Sequence, residues 1–152
     1  MIEARDITES NIDDLLRLDV RDDQEHLVAS NAVTIAQAHY RPHSWVRGLW
    51  SGEKAVGLIA MIDLQDADED DPQNAAYLWR LMIDADHQGN GYGRQAIDLA
   101  FEQARRWQRD TLCVHVCEGK GSALELYRRF GLEPTGRIDD GEIFLVGPVP
   151  KP

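Results

Sequence analysis

"DADHQGNGYGRQAIDLAFEQARRW", residues 84–107, decides how the rest of the chain is read. Three glycines, Gly89, Gly91 and Gly93, occupy alternate positions and give way at once to helical periodicity. Ile97, Ala100, Phe101, Ala104 and Trp107 recur at three-and-four spacing, the apolar stripe of a helix that begins near Tyr92. A glycine-rich turn leading into a helix gathers unpaired N–H groups around one point, and the helix dipole adds partial positive charge there. Because glycine carries no side chain, an anion can approach the main chain closely. The stretch therefore predicts a phosphate-binding turn. No Gly-Lys-Ser/Thr ending follows, so it is not a P-loop. Its G-x-G-x-G spacing, late in the chain after several antiparallel-type strands, argues against a dinucleotide Rossmann unit.

Reading outward, "AAYLWRLMID" (75–84) is a strand feeding the turn, and "TLCVHVCE" (111–118) is the strand after the helix. "SALELYRRFG" (122–131) reads as a helix closed by Gly131, and "EPTGRI" (133–138) with "GEIFLVGPV" (141–149) supplies a final strand pair. Upstream, "SWVRGLWS" and "KAVGLIAMIDL" form a strand pair around the turn "SGEK". "MIEARDI" is a short strand, and "TESNIDDLLRLDV" is a helix with Thr8 or Ser10 as its cap. "DDQEHLVASNAVTIAQAHY" (22–40) is a second helix or two short ones, ended before Pro42. The order predicts one mixed α/β domain over residues 1–152.

A chain of 152 residues with 43% hydrophobic and 28% charged residues suits a soluble globular domain. No stretch approaches the roughly 20 apolar residues that cross a bilayer. The start, "MIEARDITES", lacks the plan of a secretory signal, so the expected location is cytoplasmic and no membrane partner is expected. A net charge of −11 argues against nucleic acid as a partner. "DLQDADEDDPQ" (63–73) holds six carboxylates and no base, and reads as a solvated loop or as a rim that attracts a polycation. Cys113 and Cys117 are expected as reduced thiols. With His115 assigned to the opposite strand face and no fourth ligand apparent, no metal site is expected.

The combination of "LMIDADHQGNGYG", a helix, a strand and "ALELYRRFGLEPTG" resembles the GCN5-related N-acetyltransferase (GNAT) family over essentially the full chain. Gln88-Gly89-Asn90-Gly91-Tyr92-Gly93 matches the family's Q/R-x-x-G-x-G loop, and Leu126-Tyr127 to Gly131 matches its L-Y-x-x-x-G segment. The resemblance implies an α/β fold with a mixed, mostly antiparallel central sheet of about six or seven strands, flanking helices and a splayed strand pair. It implies acetyl-coenzyme A as co-substrate. Main-chain amides of residues 88–93 would hold its pyrophosphate, with Arg94 beside them, and the strand around Leu81, Met82 and Ile83 would pair with the pantetheine arm. Tyr127 takes the family's place for the general acid that protonates the departing thiolate. Relatives often carry Asn where this chain has Lys120, which is expected to reach a coenzyme phosphate or to be solvated.

Within the family the likeness is to bacterial spermine/spermidine (diamine) acetyltransferases, carried by "LDVRDDQEHLVASNAVTIAQA" and "YLWRLMIDADHQGNGYG". It implies acetyl transfer to a primary amine, a polyamine such as spermidine or spermine. Several such relatives have an acid where this chain has Trp79, which either walls the acceptor slot or packs in the core. Asp22 and Asp23 read as acids favouring a helix start. Glu25 and His26 are the candidates for gripping or deprotonating the amine. The alternatives are another small amine such as an aminoglycoside, a protein amine, or a coenzyme-binding sensor without turnover. Family members commonly form homodimers, and the resemblance is compatible with one here.

Overall fold

Apolar runs that are buried or half-buried for most of their length build the central strands of the sheet, and tight turns at Gly52 and Gly141 join two of its hairpins. The computed structural model describes residues 1–152. Strands β1 (Glu3–Arg5), β2 (Ser44–Ser51), β3 (Lys54–Asp63), β4 (Ala75–Ile83), β5 (Thr111–Val116), β6 (Glu133–Asp139) and β7 (Glu142–Pro148) form one seven-stranded sheet. Its order is β1-β2-β3-β4-β5-β7-β6, with β4 and β5 parallel and every other neighbour antiparallel. The helices are α1 (Ile12–Leu16), α2 (Asn31–Ala38), α3 (Tyr92–Arg106) and α4 (Leu124–Arg129). The mixed, mostly antiparallel sheet with flanking helices agrees with the expected fold class.

One face of the sheet carries the main core. Ala76, Leu78, Leu112, Val114, Val116 and Leu145 meet Ala96, Ile97, Ala100, Phe101 and Ala104 of α3, the stripe read from the sequence. Helix α4 ends as expected at Gly131: its N–H donates to the Arg128 carbonyl at 3.0 Å and that of Leu132 to the Tyr127 carbonyl at 3.1 Å. This paired closure fixes the turn of helix that carries Tyr127.

One local reading needs correction. Thr8 and Ser10 do not cap α1. Their hydroxyls bond each other at 3.0 Å, and the residue before the helix is Asn11, whose Oδ1 accepts the Thr8 N–H at 2.8 Å. The second helical stretch takes the form of two short pieces, one of the two forms expected: a 3-10 turn over Asp22–Leu27 and then α2, parted because Val28 is extended. Ser30 then caps α2, its Oγ accepting the Val33 N–H at 3.3 Å.

The acidic 63–73 segment is partly consumed by the protein's own cations. Asp63 is buried and takes a bidentate contact from Arg109, with Nε at 2.6 Å and Nη2 at 3.2 Å. Asp66 faces His43 at 3.4 Å, and Asp71 faces Arg137 at 2.9 Å. Asp68 and Asp70 form no ion pair with a side chain of this chain.

Candidate active site

The cleft exists because β4 changes partners halfway along. Its first part, Ala75 to Leu78, pairs with Thr111 to Val114 of β5. Beyond that point β5 continues only with β7, and β4 continues only with β3. The change coincides with a bulge: Ala60 opposes Arg80 and Met61 opposes Leu78, leaving Trp79 without a partner on β3. An extra residue of this kind bends and twists its strand, so β4 turns away from β5. Backbone groups of residues 79–83 on the β5 side consequently face a gap.

That gap opens into a cleft of about 640 Å³. Leu81, Met82 and Ile83 line it along β4, and Gln88, Gly89, Gly91, Tyr92, Gly93 and Arg94 line the end at α3. Gly89 and Gly91 have φ of +83° and +77°, a left-handed conformation that favours glycine. The first helical hydrogen bond of α3 runs from the Gln95 N–H to the Gly91 carbonyl, so the amides from Gly89 to Arg94 donate to no protein acceptor. A Cβ built at Gly89 or Gly91 meets nothing within 4 Å. The concave side of the turn is thus open and lined with donors, as a diphosphate requires.

Side chains brace the turn instead of filling it. Asn90 does not line the cleft; its Nδ2 donates to the His87 carbonyl at 2.9 Å. Gln88 Nε2 donates to the Ile83 carbonyl at 3.0 Å and to Gln24 Oε1 at 2.8 Å. Gln24 in turn donates to the Gly121 carbonyl at 3.3 Å, which joins the 3-10 turn, the end of β4 and the β5–α4 loop around the mouth. Lys120 sits exposed in that loop, outside the cleft lining.

Tyr127 projects from α4 into the cleft and is 5% exposed. Burial alone pushes its phenol above the usual tyrosine range, so the hydroxyl holds its proton at neutral pH. A general acid needs that state.

The other end of the cleft lies on the opposite sheet face, since residues one apart on a strand point to opposite sides. Tyr77, Trp79, His115, Cys117 and Glu142 line it, together with Arg80 and, from the 3-10 turn, His26. Glu142 is the one carboxylate among the lining residues. Glu25, like Asp22 and Asp23, does not line the cleft, so the acids expected near the acceptor are not gathered there. Trp79 is half-buried and not a core residue. Arg80 stacks on its ring at 4.5 Å and Arg41 at 5.3 Å, and Arg80 Nη1 donates to Gln37 Oε1 at 2.7 Å.

The assignment of His115 to the face opposite the cysteines is corrected by the structure. Cys113, His115 and Cys117 share one face of β5, as alternate strand residues must. Cys113 and His115 both pack against Phe144, and Cys117 Sγ donates to Glu142 Oε1 at 3.4 Å. The three do not form a metal-binding group: no cluster of three or more His, Cys, Asp or Glu side chains is arranged to hold an ion. Both ring nitrogens of His115 are engaged. Nδ1 lies 2.7 Å from the Tyr77 hydroxyl and Nε2 lies 2.7 Å from Asp139 Oδ2. Asp139 also accepts from Arg137 Nε at 2.7 Å. Reasoning from sequence missed this row, because 38 residues separate Tyr77 from His115 and 24 separate His115 from Asp139. A histidine in the middle of an apolar strand was the available signal.

An anion-cradling turn, a parted sheet and a protonated phenol in one cleft define an acyltransferase that takes its acyl group from a coenzyme thioester. The chain belongs to the acetyltransferase (GNAT) family, whose profile matches residues 9–132. It is 26% identical over 151 residues to the spermine/spermidine N(1)-acetyltransferase of Bacillus subtilis (strain 168), covering 95% of this chain and 97% of that one. Its fold is similar to that of the PaiA N-acetyltransferase from Thermoplasma acidophilum in complex with coenzyme A, with a TM-score of 0.70 at 11% identity over 97% of this chain and 99% of that one. The ribosomal-protein-S18-alanine N-acetyltransferase from Escherichia coli is similar as well, with a TM-score of 0.70 at 16% identity over 100% and 96% of the two chains. No helix is long and apolar enough to cross a membrane.

Proposed function

We propose that this chain is a cytoplasmic N-acetyltransferase, one domain over residues 1–152, that moves acetyl from acetyl-coenzyme A directly onto a primary amine of a polyamine such as spermidine or spermine. The observation that carries the transferase reading is a coincidence of parts. Unpaired amides from Gly89 to Arg94 and the Tyr127 side chain border one and the same cleft. Acetyl-coenzyme A supplies the activated acetyl group. The amides of residues 89–94 hold its diphosphate, with Arg94 at their edge, and the β5-facing side of residues 81–83, where Gln88 already meets the Ile83 carbonyl, takes the pantetheine arm as an added strand. Tyr127 donates its proton to the departing sulfur, and burial keeps that proton in place until it is needed.

The polyamine reading rests on the name borne by the 26% identical relative, on Glu142 in the cleft wall and on the net charge of −11, which draws polycations toward the mouth. His26 and Trp79 wall the acceptor slot in this reading. A second reading, a singly charged amine, is favoured by the presence of only one carboxylate in the lining and of the Arg80 cation among the same residues. Two free thiols fit a reducing, cytoplasmic setting.

Thiol release measured over spermidine, spermine, a simple alkylamine, an aminoglycoside and a peptide N-terminus separates these readings. Highest kcat/KM for spermidine or spermine is the expected result. Preference for the alkylamine or the peptide overturns the polyamine assignment. Coenzyme binding by calorimetry without turnover of any amine makes the chain a sensor.

A further inference from the structure

An alkylammonium has no lone pair with which to attack, and with a pKa near ~10 only about one molecule in a thousand is neutral at pH 7. An amine acetyltransferase acting near neutrality therefore needs a route for that proton. We propose that Tyr77, His115 and Asp139 form this route: Tyr77 receives the ammonium proton from the cleft and His115, held by Asp139, takes the phenol proton in exchange. The inference rests on the acetyl-transfer reading given above.

Three strands supply the row. Tyr77 stands on β4 where it still pairs with β5, His115 on β5 just past the parting, and Asp139 at the end of β6. Strand β7 lies between β5 and β6, so the His115–Asp139 contact passes beside Phe144, whose ring centroid is 4.7 Å from the imidazole. The His115 side chain is 16% exposed and that of Asp139 is 41% exposed, so the row runs from the cleft wall to solvent.

The partners fix the protonation pattern. The His115–Asp139 contact and the adjacent Arg137 guanidinium hold the Asp139 carboxyl below the usual carboxylate range. A carboxylate only accepts, so the hydrogen on neutral His115 sits on Nε2 and points at Asp139. Nδ1 then accepts from the Tyr77 hydroxyl, which leaves lone pairs of the phenol oxygen free toward the cleft. An ammonium arriving there donates one hydrogen bond to Tyr77 Oη. In the transfer, one ammonium N–H bond breaks and an O–H bond forms on Tyr77. The phenol's original O–H bond breaks and an N–H bond forms at His115 Nδ1. The products are a neutral amine with a lone pair and an imidazolium paired with Asp139, which passes its proton to water at the exposed end. Burial pushes the Tyr77 phenol above the ordinary tyrosine range, so it hands a proton on without resting as a phenolate. Imidazole is the side chain suited to taking up a proton near neutral pH, and a carboxylate partner both orients it and stabilises its charged form.

Other ionisable groups face this row. Arg80 on β4, Cys113 on β5, Cys117 just past its end, Arg137 on β6 and Glu142 on β7 surround it, with Arg41 approaching Tyr77 from the segment before β2 and Asp71 paired to Arg137 from the acidic loop. Tyr77 and His115 are the members that touch the cleft, and Asp139 acts as a positioning residue through His115.

The test compares the wild type with His115→Gln, Tyr77→Phe and Asp139→Asn on two acceptors: an alkylamine that the protein acetylates, and a β-fluorinated analogue whose amine is already largely neutral at pH 7. His115→Gln and Tyr77→Phe are expected to lower kcat/KM for the alkylamine at pH 7 by about 100-fold, the low end of general-base effects, and by less than ~5-fold for the analogue. The alkylamine deficit should shrink as pH rises toward ~10 and free amine accumulates. Asp139→Asn should show the same dependence on acceptor with a smaller loss, about 10-fold. Coenzyme affinity by calorimetry should not change in any variant. If His115→Gln fails to fold, Tyr77→Phe keeps the aromatic packing and carries the test. Equal losses on both acceptors across the pH range would make the row a structural tie between strands and overturn the proposal. Absence of wild-type turnover with every amine would instead remove the acetyl-transfer reading, and the relay with it.

Discussion

Tyr127 is a hydroxyl surrounded by a core. Its ring belongs to the main hydrophobic cluster, while burial is the sole cause raising its pKa, with no hydrogen bond contributing. Removing the oxygen therefore costs little packing and leaves no protein group unpaired. Tyr127→Phe is expected to keep its unfolding free energy within ~0.5 kcal/mol and to bind coenzyme A as before. Its kcat should fall by about 100-fold or more if the phenol is the general acid. Single-turnover rates beside a denaturation curve check this, and unchanged turnover would take Tyr127 out of that role. At this scale the sequence was legible where placement depends on one short segment, as in Leu126-Tyr127 to Gly131, which lines the cleft and closes its helix. It was not legible where partners come from separate strands. Tyr77, His115 and Asp139 meet only through the register of β4, β5, β7 and β6, which no local spacing encodes. Glu25 and His26 show the same limit: adjacent in sequence on a 3-10 turn, one lines the cleft and the other does not.

The turn before α3 offers unpaired amides and no charged side chain of its own, so in the proposed reading its shape should matter more than its chemistry. Gly91 has φ of +77° and open space where a Cβ would sit. Gly91→Ala meets no clash, and the cost is the left-handed conformation itself, about 1–2 kcal/mol. Gly52, in the β2–β3 turn, has φ of +59° and equally open surroundings; its neighbour Ser51 meets the cradle through a side chain, accepting from the Tyr92 hydroxyl at 3.3 Å, and not through an amide. Gly52→Ala should thus lose similar stability with coenzyme affinity intact, while Gly91→Ala should also lose affinity by about tenfold or more. Calorimetric affinities and melting curves of the two variants decide it: equal affinity losses would mean that strain, not the cradle, governs binding. Elements of this kind were readable because turn, cap and stripe are local patterns; α3 begins at Tyr92 as expected. The bulge at Trp79 was not, since an unpaired residue is defined by its neighbour strand, and "YLWRLMI" reads as an apolar run with no mark of a break.

Across the whole molecule, the parting of the sheet brings buried ionisable groups to both of its faces. Tyr127 lies on the helix side, Tyr77 and Cys113 on the other, and desolvation raises the pKa of all three. The Cys113 thiol is pushed up to about 12 from its ordinary value of 9.0. Cys117, more open, is raised too, first by burial and then by Glu142. A group with a raised folded-state pKa binds its proton more tightly when folded, so the unfolded chain holds fewer protons in the window between the two values. The stabilisation is complete below pH 9 and is lost as pH climbs through about 12. Each such group steepens the decline by about 1.4 kcal/mol per pH unit inside its window. Cys113 is fully buried, and its window opens before those of the tyrosines, whose ordinary value is 10.0. Cys113→Ala should accordingly be less stable than wild type at pH 7, because it leaves a small cavity, yet should lose stability more slowly above pH 9. Urea midpoints measured at half-unit steps on the alkaline side would show the two curves converging. Parallel curves would mean that the thiol ionises as readily in the folded protein as in the unfolded chain. The dry interior in which β4 leaves β5 would then be wetter than its packing indicates, and the burial that holds Tyr127 and Tyr77 protonated would be weakened along with it.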